Sequence, residues 1–184
     1  MKFKLIFFLI LAFKLNAQNT EITKNDSLKT KSIELFREIY WNNLPKPVSW
    51  TNDYENLFTE IEQTKLDSII SKFEKETSIE ISIVTIDTIK TSEEKFEDLI
   101  LHFAQTWRIG KAEKDNGILI GICKGYRRIR IQNGNGIEKI ITDEEKKSII
   151  ENYFIPEFKN EKYYTGTLNG LCEIIKLLKS KIEK

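Results

Sequence analysis

Two apolar runs separated by turn residues form the clearest hydrophobic pattern in the chain. Residues 118–123 are a short uninterrupted apolar run bounded by turn signals, which predicts a buried strand. Residues 128–131 alternate polar and apolar positions, as a half-buried strand does. The four residues between the runs contain Gly125, which suits a hairpin turn. The pattern therefore predicts an antiparallel hairpin.

Apolar positions at helical spacing predict four amphipathic helices around this hairpin, at about residues 59–77, 91–107, 142–156 and 164–182. The first begins with the N-cap residue Thr59, and the third begins with a capping box of Thr142 and Glu145. The predicted buried stripe of the first helix is Ile61, Leu66, Ile69, Ile70 and Phe73.

A strand is predicted at residues 79–86, where apolar side chains alternate with polar ones. A helix and then another buried strand follow it, which predicts a parallel crossover ahead of the hairpin. Helices that alternate with a small mixed sheet indicate a layered α/β domain.

The first 17 residues have the pattern of a secretory signal peptide. Lys2 and Lys4 precede an apolar core over residues 5–13, which is too short to span a bilayer, and Ala17 suits a cleavage site before Gln18. The alternative is an uncleaved N-terminal anchor. The expected location is outside the cytoplasm, either periplasmic or secreted.

Residues 18–47 are predicted to be a leader and linker that contains one short helix, and the compact domain is expected to span residues 48–184. Pro45 and Pro47 mark the boundary, because each proline restricts the chain to extended backbone. The apolar stripe of the short helix is Ile33, Leu35, Phe36, Ile39 and Tyr40.

The charge balance of the chain bears on one class of partner, nucleic acid. The chain has 29 basic and 28 acidic residues, and removal of a signal peptide with three lysines leaves 26 and 28, a net charge of −2. This value gives no reason to expect nucleic acid. No segment after the signal has the roughly 18 apolar residues of a membrane helix, so no transmembrane helix is expected in the mature chain.

The hairpin predicts where two acidic side chains lie. Asp115 precedes the first strand and Glu138 follows the second, so both carboxylates should meet at the edge opposite the turn. Glycines at 117, 134 and 136 should allow close backbone approach and positive φ. Carboxylates, the Asn116 side chain and bent backbone carbonyls suit a hard cation such as calcium. The alternative is a pair of ordinary turns with solvated acids.

Other reactive residues give weaker signals. His102 lies at the rim of its helix, which offers little support for a histidine relay or a zinc site. Cys123 and Cys172 could be bonded in an exported protein, or both could be buried thiols. Basic residues cluster at the hairpin turn, where they form either a solvated face or a surface for an anionic partner or lipid; they are Lys124, Arg127, Arg128 and Arg130.

From about Val48 to Leu178 the chain resembles the TPM domain family. Four groups of residues match the family's motifs in the right order: Asn52-Asp53-Tyr54 with Leu57; Trp107, Ile109-Gly110 and Asp115-Asn116-Gly117; Gly134, Gly136, Ile137-Glu138 and Thr142-Asp143; and Ile155-Pro156, Phe158, Tyr163 and Gly166. Arg108 departs from the family, because a glycine is common there. The end of the chain at Lys184, without the membrane helix and glycine-rich tail of many bacterial members, puts membrane anchoring in doubt.

The resemblance implies a three-layer α/β/α sandwich with an acidic cleft that holds calcium in some members. It adds Asp53 to the predicted calcium site, which then consists of Asp115, Asn116, Glu138 and Asp143 with Asp53 close by. Two functions follow from the cleft. The first is an exported calcium-binding module that engages a protein partner at or near a membrane. The alternative is a divalent-ion-dependent acid phosphatase, whose catalytic residues the sequence does not identify.

Overall fold

The computed structural model describes residues 26–182, and the chain divides into two units after Asn43. In the first unit a helix, α1, covers residues 26–42. It contains the apolar stripe of the predicted short helix and begins earlier, within residues 18–31, which are polar and were expected to be a flexible leader. The predicted signal peptide lies outside the described residues. Across residues 26–182, no helix combines the length and the apolar character needed to cross a bilayer.

The second unit, from Leu44, is built on a four-stranded mixed sheet in the order β1-β2-β3-β4. The strands are β1 (Thr51–Asp53), β2 (Glu80–Thr85), β3 (Gly117–Cys123) and β4 (Arg128–Asn133). β1, β2 and β3 are parallel, and β3 pairs with β4 as the predicted antiparallel hairpin. The sequence pattern did not predict β1, because three residues are too few to show a period.

Helices cover both faces of this sheet. They are α2 (Glu60–Thr77), α3 (Phe96–Trp107), α4 (Asn135–Glu138), α5 (Asp143–Ile149), α6 (Ile155–Phe158) and α7 (Tyr163–Ile182), with a π-helical segment at Ile150–Phe154 between α5 and α6. Both predicted N-caps are confirmed, since Thr59 with Glu62 and Thr142 with Glu145 form capping boxes.

Two predicted helix ends are wrong. α3 begins at Phe96 rather than near Thr91, because the Thr91 hydroxyl is buried and donates to the Ser92 carbonyl instead of capping a helix. The third helix does not end at Pro156. The π-helical segment precedes Pro156, and the residue after that segment, Ile155, donates its N–H to the Ile150 carbonyl. This wider turn changes the hydrogen-bond register before the proline, which has no N–H to donate.

The main core lies between the sheet and the layer that contains α2 and α7. Alternate strand residues, including Ile81, Ile83 and Ile120, point into this core. The opposite face packs on α3, where Gly121 leaves room for Ile100. The three-layer α/β/α sandwich is therefore confirmed. Ile61 is not part of the buried stripe, since it is 69% exposed in the first turn of α2.

Trp107 and the two cysteines occupy distinct environments in this unit. Trp107 is partly buried, meets Phe103 edge-on at 4.8 Å between ring centroids, and donates from Nε1 to the Pro45 carbonyl at 2.7 Å. Both cysteines are free thiols. Cys123 is buried at the end of β3, where burial raises its pKa to about 11, whereas Cys172 is exposed on α7. The expectation of two buried thiols is therefore wrong for Cys172.

Candidate functional site

The open end of the hairpin forms one side of a cleft of about 480 Å³ that Asp115 and Glu138 both line. The end of α3 forms the other side and contributes Gln105 and Arg108. The structure therefore brings the two predicted carboxylates to the same cleft. Lys111, in the loop after α3, also lines it, so the cleft carries both acidic and basic groups.

Asp115 is fixed by the chain that follows β4. Its Oδ2 accepts a hydrogen bond from the Asn135 N–H at 2.9 Å, and its backbone carbonyl accepts from the Gly136 N–H at 3.0 Å. Asp115 itself has a φ of 45°, in the left-handed region that few residues other than glycine, asparagine and aspartate adopt readily. Glu138, at the end of the one-turn helix α4, is exposed.

The predicted close approach of backbone at the glycines is present. A Cβ at Gly134 would lie 2.6 Å from Asp115 Oδ1, and one at Gly136 would overlap the Lys114 carbonyl oxygen. The predicted positive φ is wrong at positions 117, 134 and 136. Asp115 and Gly110, whose φ is 101°, turn the chain instead.

Asn116 has a structural use in the loop before β3. Its side chain is buried, with Oδ1 accepting from the Lys111 N–H at 2.9 Å and Nδ2 donating to the Ser78 carbonyl at 2.8 Å. The amide therefore ties the loop to the end of α2.

Asp143 is the first residue of α5 and has an 89% exposed side chain. It pairs with Lys146 at 2.7 Å, and this hydrogen bond, helped by the charge of Lys146, lowers the pKa of Asp143. An acid at this position also offsets the partial positive charge of the helix N-terminus. Asp143 does not line the cleft that holds Asp115 and Glu138.

Asp53 lies at the other end of the sheet. Asp53 pairs with Thr85, at one end of β2. Glu80, five positions away at the other end of β2, pairs with Gly117 at the cleft. At about 3.3 Å per residue this separation is roughly 16 Å. Asp53 accepts hydrogen bonds from the Thr85 hydroxyl at 2.6 Å and from the Phe58 N–H at 2.7 Å. The structure therefore does not bring Asp53 to the cleft.

These positions define which donors a calcium ion would meet. Within residues 26–182, no group of three or more His, Cys, Asp or Glu side chains is placed to hold a metal ion. Asp115, Glu138 and Asn135 are among the lining residues with carboxylate or amide oxygens that a calcium ion could use. This donor set fits a water-rich calcium site with few protein ligands, and it does not contain the five predicted ligands together.

The structure explains one residue that the sequence singled out and adds one that the sequence missed, at the opposite end of the sheet from the cleft. Arg108 follows the last residue of α3 with a φ of 54°, a left-handed cap conformation that favours glycine. Glu55, near the carboxyl ends of the parallel strands, accepts from the Lys124 N–H at 2.9 Å, and its N–H donates to Thr85 Oγ1. Burial raises the pKa of Glu55, and the nearby Asp87 raises it further.

Comparison with known proteins assigns the family. The family model of the TPM domain matches residues 51–177, which is more than half of the chain. The chain belongs to the TPM domain family. The resemblance read from the four groups of motif residues is thereby confirmed. No curated protein is significantly similar to the chain.

Solved structures agree on the TPM fold. The solution structure of the N-terminal domain of a protein from P. gingivalis is 24% identical, with a TM-score of 0.66 over 73% of this chain and 84% of that one. The BA42 protein from the psychrophilic bacterium Bizionia argentinensis is 23% identical, with a TM-score of 0.60 over 70% of this chain and 86% of that one. At these identities the similarity shows the fold alone.

Proposed function

We propose that this TPM-domain protein is exported and acts as a binding module that takes calcium in its cleft and engages a protein partner at or near a membrane. The observation that supports the calcium site is the convergence of Asp115 and Glu138 on one cleft at the open end of the hairpin. Calcium prefers carboxylate and carbonyl oxygens, which both sides of this turn supply.

The proposed site should bind calcium weakly, because it has few charged ligands. Two carboxylates supply the charge, and water completes the six to eight oxygen ligands that calcium requires. Sites of extracellular modules with few charged ligands bind calcium with dissociation constants of about 10⁻⁴–10⁻³ M. An affinity in this range suits a compartment outside the cytoplasm, where the predicted signal peptide would direct the chain.

Calorimetric titration and thermal unfolding with calcium test the site. Calcium should bind with a millimolar or submillimolar dissociation constant and raise the melting temperature, because it binds the folded state preferentially. Asp115→Asn and Glu138→Gln should each weaken both effects. Asn at 115 can still accept the Asn135 N–H, so the turn should persist in the first variant.

Asp143→Asn is the matched control, since Asp143 is exposed and paired with Lys146 outside the cleft. It should leave calcium binding unchanged. Loss of binding in this variant would support the larger predicted ligand set instead. Absence of calcium binding at millimolar concentrations would remove the site and this function.

The same variants separate binding from catalysis. The alternative, a divalent-ion-dependent acid phosphatase, requires turnover of a simple phosphomonoester such as p-nitrophenyl phosphate. The binding module predicts no turnover above background with calcium or magnesium. Turnover that is lost in Asp115→Asn would replace the binding module with the phosphatase.

A further inference from the structure

A small apolar pocket lies at the turn end of the hairpin. The cleft that Asp115 and Glu138 line is at the other end of β3 and β4. The volume of the pocket is about 190 Å³, and its apolar walls are Ile122, Ile129, Ile155, Phe158 and Tyr163. This volume equals that of about six water molecules. The pocket therefore has room for one large apolar side chain, and it is too small for a full acyl chain.

Exposed basic residues line this pocket. Two of them are Arg127 and Lys159, and no acidic residue of the described part of the chain is among its lining residues. The Arg128 side chain pairs with Glu97 of α3 at 2.9 Å, on the opposite face of the sheet from Ile129, whereas Arg127 and Lys159 form no ion pair within residues 26–182.

The Lys124 ammonium lies nearby, 5.2 Å from the centroid of the Tyr163 ring. Burial, and then the charges of Glu161 and Glu55, raise the pKa of Tyr163, so acidic groups lie near that wall of the pocket. The unpaired positive charge is at Arg127 and Lys159, so an occupant should combine an apolar group with negative charge directed at these two residues.

The pocket wall is shaped by an irregular part of the helical layer. Ile155 and Phe158 are the first and last residues of α6, which directly follows the π-helical segment. π-Helical segments are frequent at functional sites. Gly166 of α7 makes room for the Phe158 ring, because a Cβ there would lie 2.7 Å from ring carbons. Cys123 also lines the pocket, and its raised pKa of about 11 keeps the thiol uncharged.

The strand beside the pocket has a free edge. β4 is the last strand of the sheet order, and within residues 26–182 it pairs with β3 alone. The Gly134 N–H donates to the Gly117 carbonyl, and these two residues lie one step beyond the Ile118–Asn133 pair of the β3–β4 register. Hydrogen-bonded and non-bonded pairs alternate along an antiparallel ladder, so Ile129 and Ile131 direct their N–H and C=O groups away from β3. Such an edge can accept an added strand.

We propose that the β4 edge and this pocket bind an extended acidic segment of a partner protein. The segment adds to β4 as a strand, one apolar side chain fills the pocket, and neighbouring carboxylates meet Arg127 and Lys159. This surface indicates what kind of segment the partner in the proposed function would present, and the proposal rests on that function only in assuming that a protein partner exists. The free edge favours a peptide over a lipid, because only a peptide backbone supplies the complementary hydrogen bonds.

Fluorescence anisotropy with a labelled seven-residue peptide, a leucine flanked on each side by three glutamates, tests the surface with calcium chelated. A failed calcium site therefore has no effect on the outcome. The peptide should bind, and replacing its leucine by serine or its glutamates by glutamines should weaken binding about fivefold or more, since each removes one of the two contacts. In an NMR titration, the amides of Ile129 and Phe158 should shift while that of Glu138 does not.

The protein variants are chosen so that folding is kept. Arg127 has a φ of 53°, which glycine adopts without strain, and Lys159 is exposed. Arg127→Gly with Lys159→Gln should weaken peptide binding about fivefold or more, whereas the exposed control Lys72→Gln on α2 should not change it. Unchanged binding in the double variant, no binding at about 1 mM peptide, or binding of anionic phospholipid vesicles without peptide binding would each overturn the proposal.

Discussion

Replacing Gly136 by alanine should destabilise the turn that brings the two carboxylates together. A Cβ at position 136 would lie 3.0 Å from the Asp115 carbonyl oxygen and would overlap the Lys114 carbonyl oxygen. Both atoms are backbone, so no side-chain rotation relieves the overlap. Overpacking of this kind costs about 1–3 kcal/mol. The displaced backbone also loses the Gly136 to Asp115 hydrogen bond, worth about 1 kcal/mol.

One effect of the same substitution opposes these losses. Gly136 lies in α4, where alanine is favoured over glycine by about 1 kcal/mol. This gain offsets the lost hydrogen bond and leaves the steric term, so the free energy of unfolding should fall by about 2 kcal/mol. The turn should also open, which would separate Asp115 from Glu138 and weaken calcium binding.

Urea unfolding measured by tryptophan fluorescence gives this free energy. The matched control is Asn135→Ala, which changes the neighbouring exposed residue and keeps its backbone N–H bonded to Asp115 Oδ2. The control should change the free energy by less than about 0.5 kcal/mol. A Gly136→Ala variant as stable as the control would refute the argument that glycine is required here by backbone contact.

Three further outcomes are expected. Trp107→Ala should lower the free energy of unfolding by about 3 kcal/mol in denaturant titration, because it removes the ring contact with Phe103 and the hydrogen bond to Pro45. A loss below about 1 kcal/mol would show that these two interactions contribute little to stability. Glu55→Gln should stabilise the fold at neutral pH but not below about pH 4. The folded state raises the pKa of Glu55 above its ordinary value of 4.5, so ionisation of Glu55 destabilises the fold as the pH rises above that value. Equal stability of both proteins in thermal melts across about pH 3–8 would contradict this. Mass spectrometry of the exported protein should find Gln18 at its N-terminus, and protein that retains Met1 would refute the cleavage site.

The sequence by itself determined the elements whose signals are local. The apolar run of β3, the alternation in β4 and the turn at Gly125 specify a hairpin, because side-chain period and turn chemistry act over a few residues. The capping boxes at Thr59 and Thr142 were predictable for the same reason. The hairpin in turn placed Asp115 and Glu138 at one edge before any tertiary contact was known.

Tertiary structure decided which polar side chains are already engaged and where distant segments lie. Asn116 and Asp143 match the residue types of a calcium site, but their partners come from the end of α2, the loop after α3 and the next turn of α5. The position of Asp53 depends on the register of β1 against β2, and a three-residue strand has too few side chains to encode that register. The start of α3 and the exposure of Ile61 also depended on packing, since local propensity is weaker than burial.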